Sequence, residues 1–324
     1  MHIITGGAGF LGSVLLRELN ERGISDIVIV DNLGSGDKWR NLVKGNYVDY
    51  MHRDQFLVMA RERRLPFTLD SLTHLGACSA TTATDCDFLM ENNFHYSQEM
   101  CRLALDNGGR FVNASSAATY GDGELGFSAD LELLRKLRPL NMYGYSKHLF
   151  DLWLQREKLL DSVVSLKFFN VYGPNEYHKG NMRSVACKLY EEIIATGRAT
   201  LFASNVSGLA DGEQKRDFIY VKDCARLMAW LLTNGRHING IRNVGTGRAE
   251  TFNEVARAVF ASMGKEAAID YKPMPPSLVR NYQNYTRADM TWLAPSGYDG
   301  KFSSVSEGVS HYVRNYLAMT DRYV

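Results

Sequence analysis

The sequence predicts an α/β fold, a Rossmann-like doubly wound parallel sheet joined to a smaller α/β lobe, and three observations predict it. Apolar runs of strand length alternate with segments of helix length. The first strand runs directly into a glycine cluster, GGAGFLG at residues 6–12. After Asn170 the alternation gives way to a loop-rich half. Strands separated by crossover helices form a parallel sheet covered on both faces.

Taken in order, residues 2–5 form the first strand, and an amphipathic run at 13–22 stops at Gly23. Residues 27–30, Ile-Val-Ile-Val, are too continuously β-branched for a half-exposed strand. Further strands are predicted at 72–75, 110–114 and 163–169, with helices at 88–105 and 143–160. In the later half, helices at 182–196 and 251–263 are interrupted by a Gly/Asp/Ser-rich loop at 204–212, and Pro273, Pro275 and Pro276 form a rigid turn. Residues 216–221 and 241–244 are expected to return to the sheet. The first unit is thus 1–169 with returning segments near 216–250, and the second is discontinuous, 170–215 and 251–324.

Gly6, Gly9 and Gly12 stand at three-residue spacing between strand and helix. The first permits a tight turn, the second lets backbone approach a pyrophosphate, and the third lets helix and sheet pack closely. The helix N-terminus then offers free N–H groups to the phosphates. Asp31 ends the second strand, where a carboxylate receives ribose hydroxyls and favours NAD. Lys38 and Arg53 are cations close enough in sequence to accept a 2′-phosphate instead, or they are solvated surface charges. These residues leave the cofactor phosphate open.

Tyr143 and Lys147 are one helical turn apart and share a face. A phenol titrating near 10 is a poor base at neutral pH, and a neighbouring ammonium favours its phenolate. Tyr145 is a competing but wrongly spaced phenol. The strand at 110–114 runs into Ser115 and Ser116, at the end of a strand where sheet enzymes bind ligand. Ser116 is positioned to donate to a substrate oxygen, and Ser115 reads as a turn residue.

Bulk composition excludes other classes. With 37 basic and 36 acidic residues the net charge is +1, which gives neither nucleic acid nor an anionic membrane surface a basic excess to bind. The five cysteines, Cys78, Cys86, Cys101, Cys187 and Cys224, have no paired spacing and read as reduced packing residues. The eight histidines form no metal-ligand pattern. A first strand starting beside Met1 and the lack of a spanning apolar run predict a cytoplasmic protein.

The order GGAGFLG, SSAATYG, YGYSK, FFNVYGP and RDFIYVKD resembles the extended short-chain dehydrogenase/reductase superfamily over residues 3 to about 250. Within it, GACSATT (76–82), ENN (91–93), NEYHKG (175–180), VGTGRAE (244–250) and NYQNYTRADM (281–290) resemble the ADP-L-glycero-D-manno-heptose 6-epimerase family. The resemblance implies a soluble isomerase acting on ADP-heptose for lipopolysaccharide biosynthesis, working with NADP, and assembled as a homo-oligomer, a pentamer. It implies Ser116, Tyr143 and Lys147 as the catalytic serine, tyrosine and lysine, and Lys179 as a second acid/base. Implied cofactor contacts are Phe10, Leu11, Asp31, Asn32, Lys38, Arg53, Leu75, Gly76, Ala77, Cys78, Ser79, Asn92 and Val171, with Lys179 among them. Implied substrate contacts are Ser116, Asn170, Asn181, Lys188, Phe202, Ala203, Ser204, Asn205, Arg216 and Tyr282.

Arg53 stands where that family has lysine, Asn181 where it has serine and Lys188 where it has histidine, and the loop at 204–214 is longer. The first change keeps charge; the others touch the substrate side. The resemblance implies inversion by transient oxidation, Tyr143 serving one epimer and Lys179 the other. Lys179 also fits a phosphate-binding cation. Three rivals are weighed against this. A 4,6-dehydratase needs an Asp-Glu pair where Ala117 and Ala118 stand. A UDP-hexose 4-epimerase shares the Ser-Tyr-Lys set but not HKG or GACSATT. A non-catalytic NAD(P)-sensing regulator would have little need of an intact tyrosine and lysine.

Overall fold

The computed structural model describes residues 1–279 and 282–324; Asn281, which opens NYQNYTRADM, lies outside the described residues. Its strands are β1 His2–Thr5, β2 Ile27–Asp31, β3 Asp49–His52, β4 Ser71–His74, β5 Arg110–Ser116, β6 Val163–Phe168, β7 Asn170–Tyr172, β8 Ala199–Phe202, β9 Lys215–Arg216, β10 Phe218–Tyr220, β11 Gly240–Val244, β12 Glu250–Thr251 and β13 Ile269–Lys272. Seven form one parallel sheet in the order β11-β6-β5-β4-β1-β2-β3.

Successive residues along a strand face opposite sides. Ile3, Val28 and Phe111 therefore pack on one face with Phe150 and Trp153. Their neighbours Ile4, Ile29 and Val112 pack on the other with Leu227 and Met228. Each such side chain contributes roughly 1.5–3 kcal/mol by leaving water. A further core joins the helices Val185–Thr196, Phe252–Ser262 and Val305–Tyr312 through Ile193, Val259 and Val309.

Residues 241–244 return to the sheet as part of β11, beside β6. Residues 216–221 do not. There β9 pairs antiparallel with β12, β10 pairs with β7, and residue 221 already begins the helix Val221–Thr233. The segment is split at Asp217, whose buried carboxylate accepts from the Thr246, Gly247 and Ala288 N–H groups, so it divides into two short strands with separate partners. The first helix starts three residues earlier than its amphipathic pattern, at Phe10–Glu21, because the glycines lead straight into it. The helix expected at 88–105 is broken by a π-helical turn, Met90–His95. The tyrosine-bearing helix is Met142–Arg156, ending before Lys158, which has φ 59°. Pro276 opens a single helical turn, Pro276–Val279, rather than a plain turn. Strand β3 and the helix Arg53–Glu62 went unpredicted, as Asp49–His52 is polar and half-exposed.

Strand order reverses at β1, which has β2 on one side and β4 on the other. Crossovers leave this point in opposite directions, so a crevice opens beyond the carboxyl ends of β1 and β4. Among the described residues no helix is long and apolar enough to cross a membrane.

Candidate active site

A cavity of about 1060 Å³ occupies that crevice and extends over the C-terminal half to Arg216 and Tyr282. The glycine turn forms its floor. Gly6 has φ +67°, and a Cβ there would lie 2.6 Å from the Gly76 amide nitrogen; one on Gly12 would lie 2.2 Å from the Gly6 carbonyl oxygen. Close approach of backbone excludes any side chain at either place. Gly9 differs: its Cβ would meet the Gly6 carbonyl oxygen at 3.0 Å and otherwise face the cavity. It also precedes the helix Phe10–Glu21 without any side-chain cap. Free N–H groups and open space at one point fit a pyrophosphate.

Asp31 closes β2 nearly buried. Its Oδ2 accepts from the Ala8 N–H (2.9 Å) and its Oδ1 from the Asn32 N–H (2.7 Å), and Lys38 pairs with Oδ1. Lys38 is therefore no free surface charge. Arg53 lies 5.1 Å from the Tyr96 ring centroid and hydrogen-bonds the Asn92 side chain. The π-turn carries Asn92 and Asn93 inward, where the Asn93 amide brackets Cys78, accepting from its N–H (2.9 Å) and donating to its carbonyl (3.0 Å). This clamp holds the loop that follows β4.

Every residue implied for the dinucleotide lines the cavity, including Leu11, Asn32, Leu75, Ala77, Ser79 and Val171. Ser116, Tyr143, Lys147 and Lys179 line it too. The Ser116 hydroxyl beside Tyr143 favours the phenolate, but burial has the larger effect and pushes the phenol up from its usual value. Lys147 is itself nearly buried, and burial lowers its ammonium to about 8 against the opposing charge of Asp151. Ser115 is bound elsewhere, its Oγ donating to Asp151 Oδ2 at 2.8 Å. Tyr145 is exposed.

Lys179 sits on the turn Tyr177–Met182. Glu176 fixes the base of that turn: it is buried and accepts from the Ser184 hydroxyl (2.7 Å) and the Gly173 N–H (3.3 Å). Burial lowers Lys179 from the usual lysine range, opposed by the charge of Glu176. His178 beside it is held down to about 4, first by burial and then by Lys38 and Lys179. Asn41, also buried, donates to the Ala8 carbonyl (2.9 Å) and the Asn175 carbonyl (3.2 Å), joining this turn to the glycine loop.

On the substrate side the cavity is lined by Asn170, Lys188, Phe202, Arg216 and Tyr282. The Arg216 guanidinium lies 4.9 Å from the Tyr282 ring and 5.9 Å from Phe252, and burial lowers it to about 10. A carboxylate partner for it is missing among the described residues, so it suits an anionic ligand. Asn181, Ala203, Ser204 and Asn205 do not line the cavity. Asn181 is exposed beside Gly180, whose φ of +54° turns the chain. Past Phe202 the chain turns into the long loop, with the Ser204 N–H donating to Asp211 at 2.7 Å. Sequence reading missed His178, Glu192, Gln214 and Lys272 in the lining; of these only His178 lay in a motif already singled out.

Residues 2–245 match the NAD dependent epimerase/dehydratase family. The chain is 56% identical over 324 residues to an ADP-L-glycero-D-manno-heptose-6-epimerase of Nitratidesulfovibrio vulgaris (strain DP4), covering all of both chains. Among solved structures it resembles the ADP-L-glycero-D-manno-heptose-6-epimerase of Helicobacter pylori, with TM-score 0.79, 24% identity, and 98% and 96% of the two chains covered. It also resembles a Thermus thermophilus UDP-glucose 4-epimerase solved with NAD, with TM-score 0.75, 27% identity, and 97% and 99% covered. The chain belongs to the NAD dependent epimerase/dehydratase family.

Proposed function

We propose that this chain inverts C6 of the heptose in ADP-glycero-manno-heptose, using bound NADP. The observation that carries the reading is one continuous cavity. It joins the glycine turn to Ser116, Tyr143 and Lys147 and then to Arg216, which has no carboxylate partner among the described residues, in a chain similar along its whole length to an enzyme named for that reaction.

A nicotinamide, when bound, supplies a reversible acceptor for the electrons of a carbinol C–H bond whose proton is not acidic. The glycine turn and the helix start hold the pyrophosphate, and Lys147 orients the nicotinamide ribose. Tyr143 takes the hydroxyl proton of one epimer, the positive charges of Lys147 and of an oxidised nicotinamide offsetting the effect of burial on its phenol, with Ser116 hydrogen-bonded to the same oxygen. Lys179 serves the opposite epimer, and the burial that lowers its affinity for protons suits it to act as a base. Arg216 and Lys188 hold the substrate diphosphate. At the adenosine ribose, the Lys38–Asp31 pair removes the carboxylate's repulsion and Arg53 adds a positive charge, which favours a 2′-phosphate.

The test is to mix the purified protein with ADP-heptose in heavy water and read C6 by NMR. Inversion without deuterium at C6 is expected. Deuterium at C6 would mean that carbon is deprotonated, and inversion of UDP-glucose instead would assign the chain to the 4-epimerases.

A further inference from the structure

Behind the Ser-Tyr-Lys group lies an ion pair that touches no part of the cavity. Asp151 follows Lys147 by one turn on the helix Met142–Arg156, and Lys167 lies on β6 opposite Ser115. Both side chains are fully buried, with Lys167 Nζ 2.9 Å from Asp151 Oδ2. Asp151 also accepts from Ser115 Oγ (2.8 Å) and Ser165 Oγ (2.8 Å). Lys167 donates to Thr119 Oγ1, and Thr119 Oγ1 donates to the Ser116 carbonyl oxygen at 2.8 Å. One end of the network thus grips the turn that carries Ser116. The other lies a helical turn from Lys147.

We propose that Asp151 and Lys167 are positioning residues for this site: Lys167 fixes Ser116 through Thr119, and Asp151 is the counter-charge that keeps Lys147 an ammonium facing the nicotinamide ribose. The proposal rests on the dinucleotide reading of the cavity. Two ammonium groups, Lys147 and Lys167, are buried near one carboxylate, so loss of that carboxylate disfavours the charge on both. Tyr143 precedes Lys147 by one turn on its own helix, and His74 on β4 feels the charges of both Lys147 and Arg53. His74 is bonded to Thr5 Oγ1 (2.6 Å) and Ser97 Oγ (2.8 Å), and burial keeps it far below its usual value. Tyr143 is pushed up by burial, so neither it nor His74 supplies a negative charge near neutral pH. Asp151 is the acid that opposes the effect of burial on Lys147.

The experiment is NADPH affinity by fluorescence across pH 6–10, in wild type, Lys147→Met, Asp151→Asn, Lys167→Met and the charge-balanced double variant Asp151→Asn/Lys167→Met. Wild-type affinity is expected to fall on an alkaline limb that Lys147→Met lacks. Asp151→Asn moves the limb to lower pH, leaving affinity near wild type at pH 6 and roughly 3- to 10-fold weaker at pH 8. If that variant does not fold, the double variant carries the test, because it leaves no buried charge of the pair unpartnered and still lacks Asp151. Lys167→Met leaves the limb from moving down and lowers turnover at unchanged KM, through Ser116. A folded double variant with the wild-type limb overturns the proposal. A wild type that binds no NADPH, or a limb that survives Lys147→Met, would instead overturn the dinucleotide reading.

Discussion

The Lys179 ammonium lies 5.3 Å from the centroid of the Phe10 ring, so the second basic group of the site reaches over the start of the dinucleotide helix. Phe10 and Lys179 are far apart in sequence and meet because Asn41 ties the segment before the turn Tyr177–Met182 to the glycine loop, while Glu176 fixes the base of that turn. The ring face favours the charged form of the lysine, against the burial that lowers it. Two roles are thereby separable by mutation. Tyr143→Phe and Lys179→Met should each lower epimerisation by about 100- to 10,000-fold, the usual loss on removing a proton-transfer group. Cofactor affinity should be largely kept. If Lys179→Met instead raises KM and leaves turnover at saturation intact, Lys179 is a phosphate clamp and Tyr143 works alone.

The Lys38–Asp31 pair bears on cofactor choice. Lys38→Ala removes a phosphate-binding cation and also exposes Asp31 to the ribose. NADP should lose more than NAD, by about 1.5–3 kcal/mol or roughly 10- to 150-fold in Kd. Titration of each dinucleotide into the variant and wild type measures this. Wild type binding NAD as tightly as NADP would make Asp31 the deciding group.

Gly9 and Gly12 should separate binding from folding. An alanine at Gly12 meets backbone at 2.2 Å, so the turn must open, and Gly12→Ala should lower Tm or prevent soluble expression. An alanine at Gly9 touches only the Gly6 carbonyl group, at 3.0 Å from its oxygen, and otherwise points into the cavity. Gly9→Ala should therefore fold, with near-native circular dichroism, and bind dinucleotide at least about tenfold more weakly. Equal thermal damage from both would remove the distinction drawn between the two glycines.

Local chemistry explains how much of this was legible in the sequence. The glycine spacing, the strand-end serine and the Tyr143–Lys147 turn are short-range patterns, and each lines the cavity. What stayed hidden depended on long-range contact. Nothing in the sequence near Asp151 announces Lys167, which reaches it only because β6 packs against the helix carrying Lys147. The π-turn at Met90–His95 follows from the Asn93 clamp on the Cys78 loop, again a tertiary demand. Residues 216–221 look like one strand, but the buried Asp217 carboxylate and the pairing with β7 and β12, invisible in a periodicity, divide them between two small sheets. Asn181 and the residues after Phe202 missed the cavity because motif position does not reveal where a surface turn points.

His148 provides a test on stability rather than turnover. It is nearly buried on the helix that carries Tyr143 and Lys147, and its Nδ1 has no hydrogen-bond partner among the described residues. Burial, and then the charges of Lys167 and Arg138, lower it to about 4, with Asp151 opposing. An unfolded chain protonates the same group near 6.5. The folded affinity for protons is the weaker, so the stability linked to His148 is fully present above pH 6.5 and is lost as pH falls toward 4. At pH 5 the loss is about 2 kcal/mol for this residue. Other groups titrate in the same window, so the readout is the difference between wild type and His148→Gln, which cannot be protonated. Urea unfolding at pH 7.5 and pH 5 should find the variant's deficit smaller at pH 5 by about that amount. A deficit that is the same at both values would mean His148 takes up its proton equally well folded and unfolded, and that the interior around Lys167 does not repel a second cation.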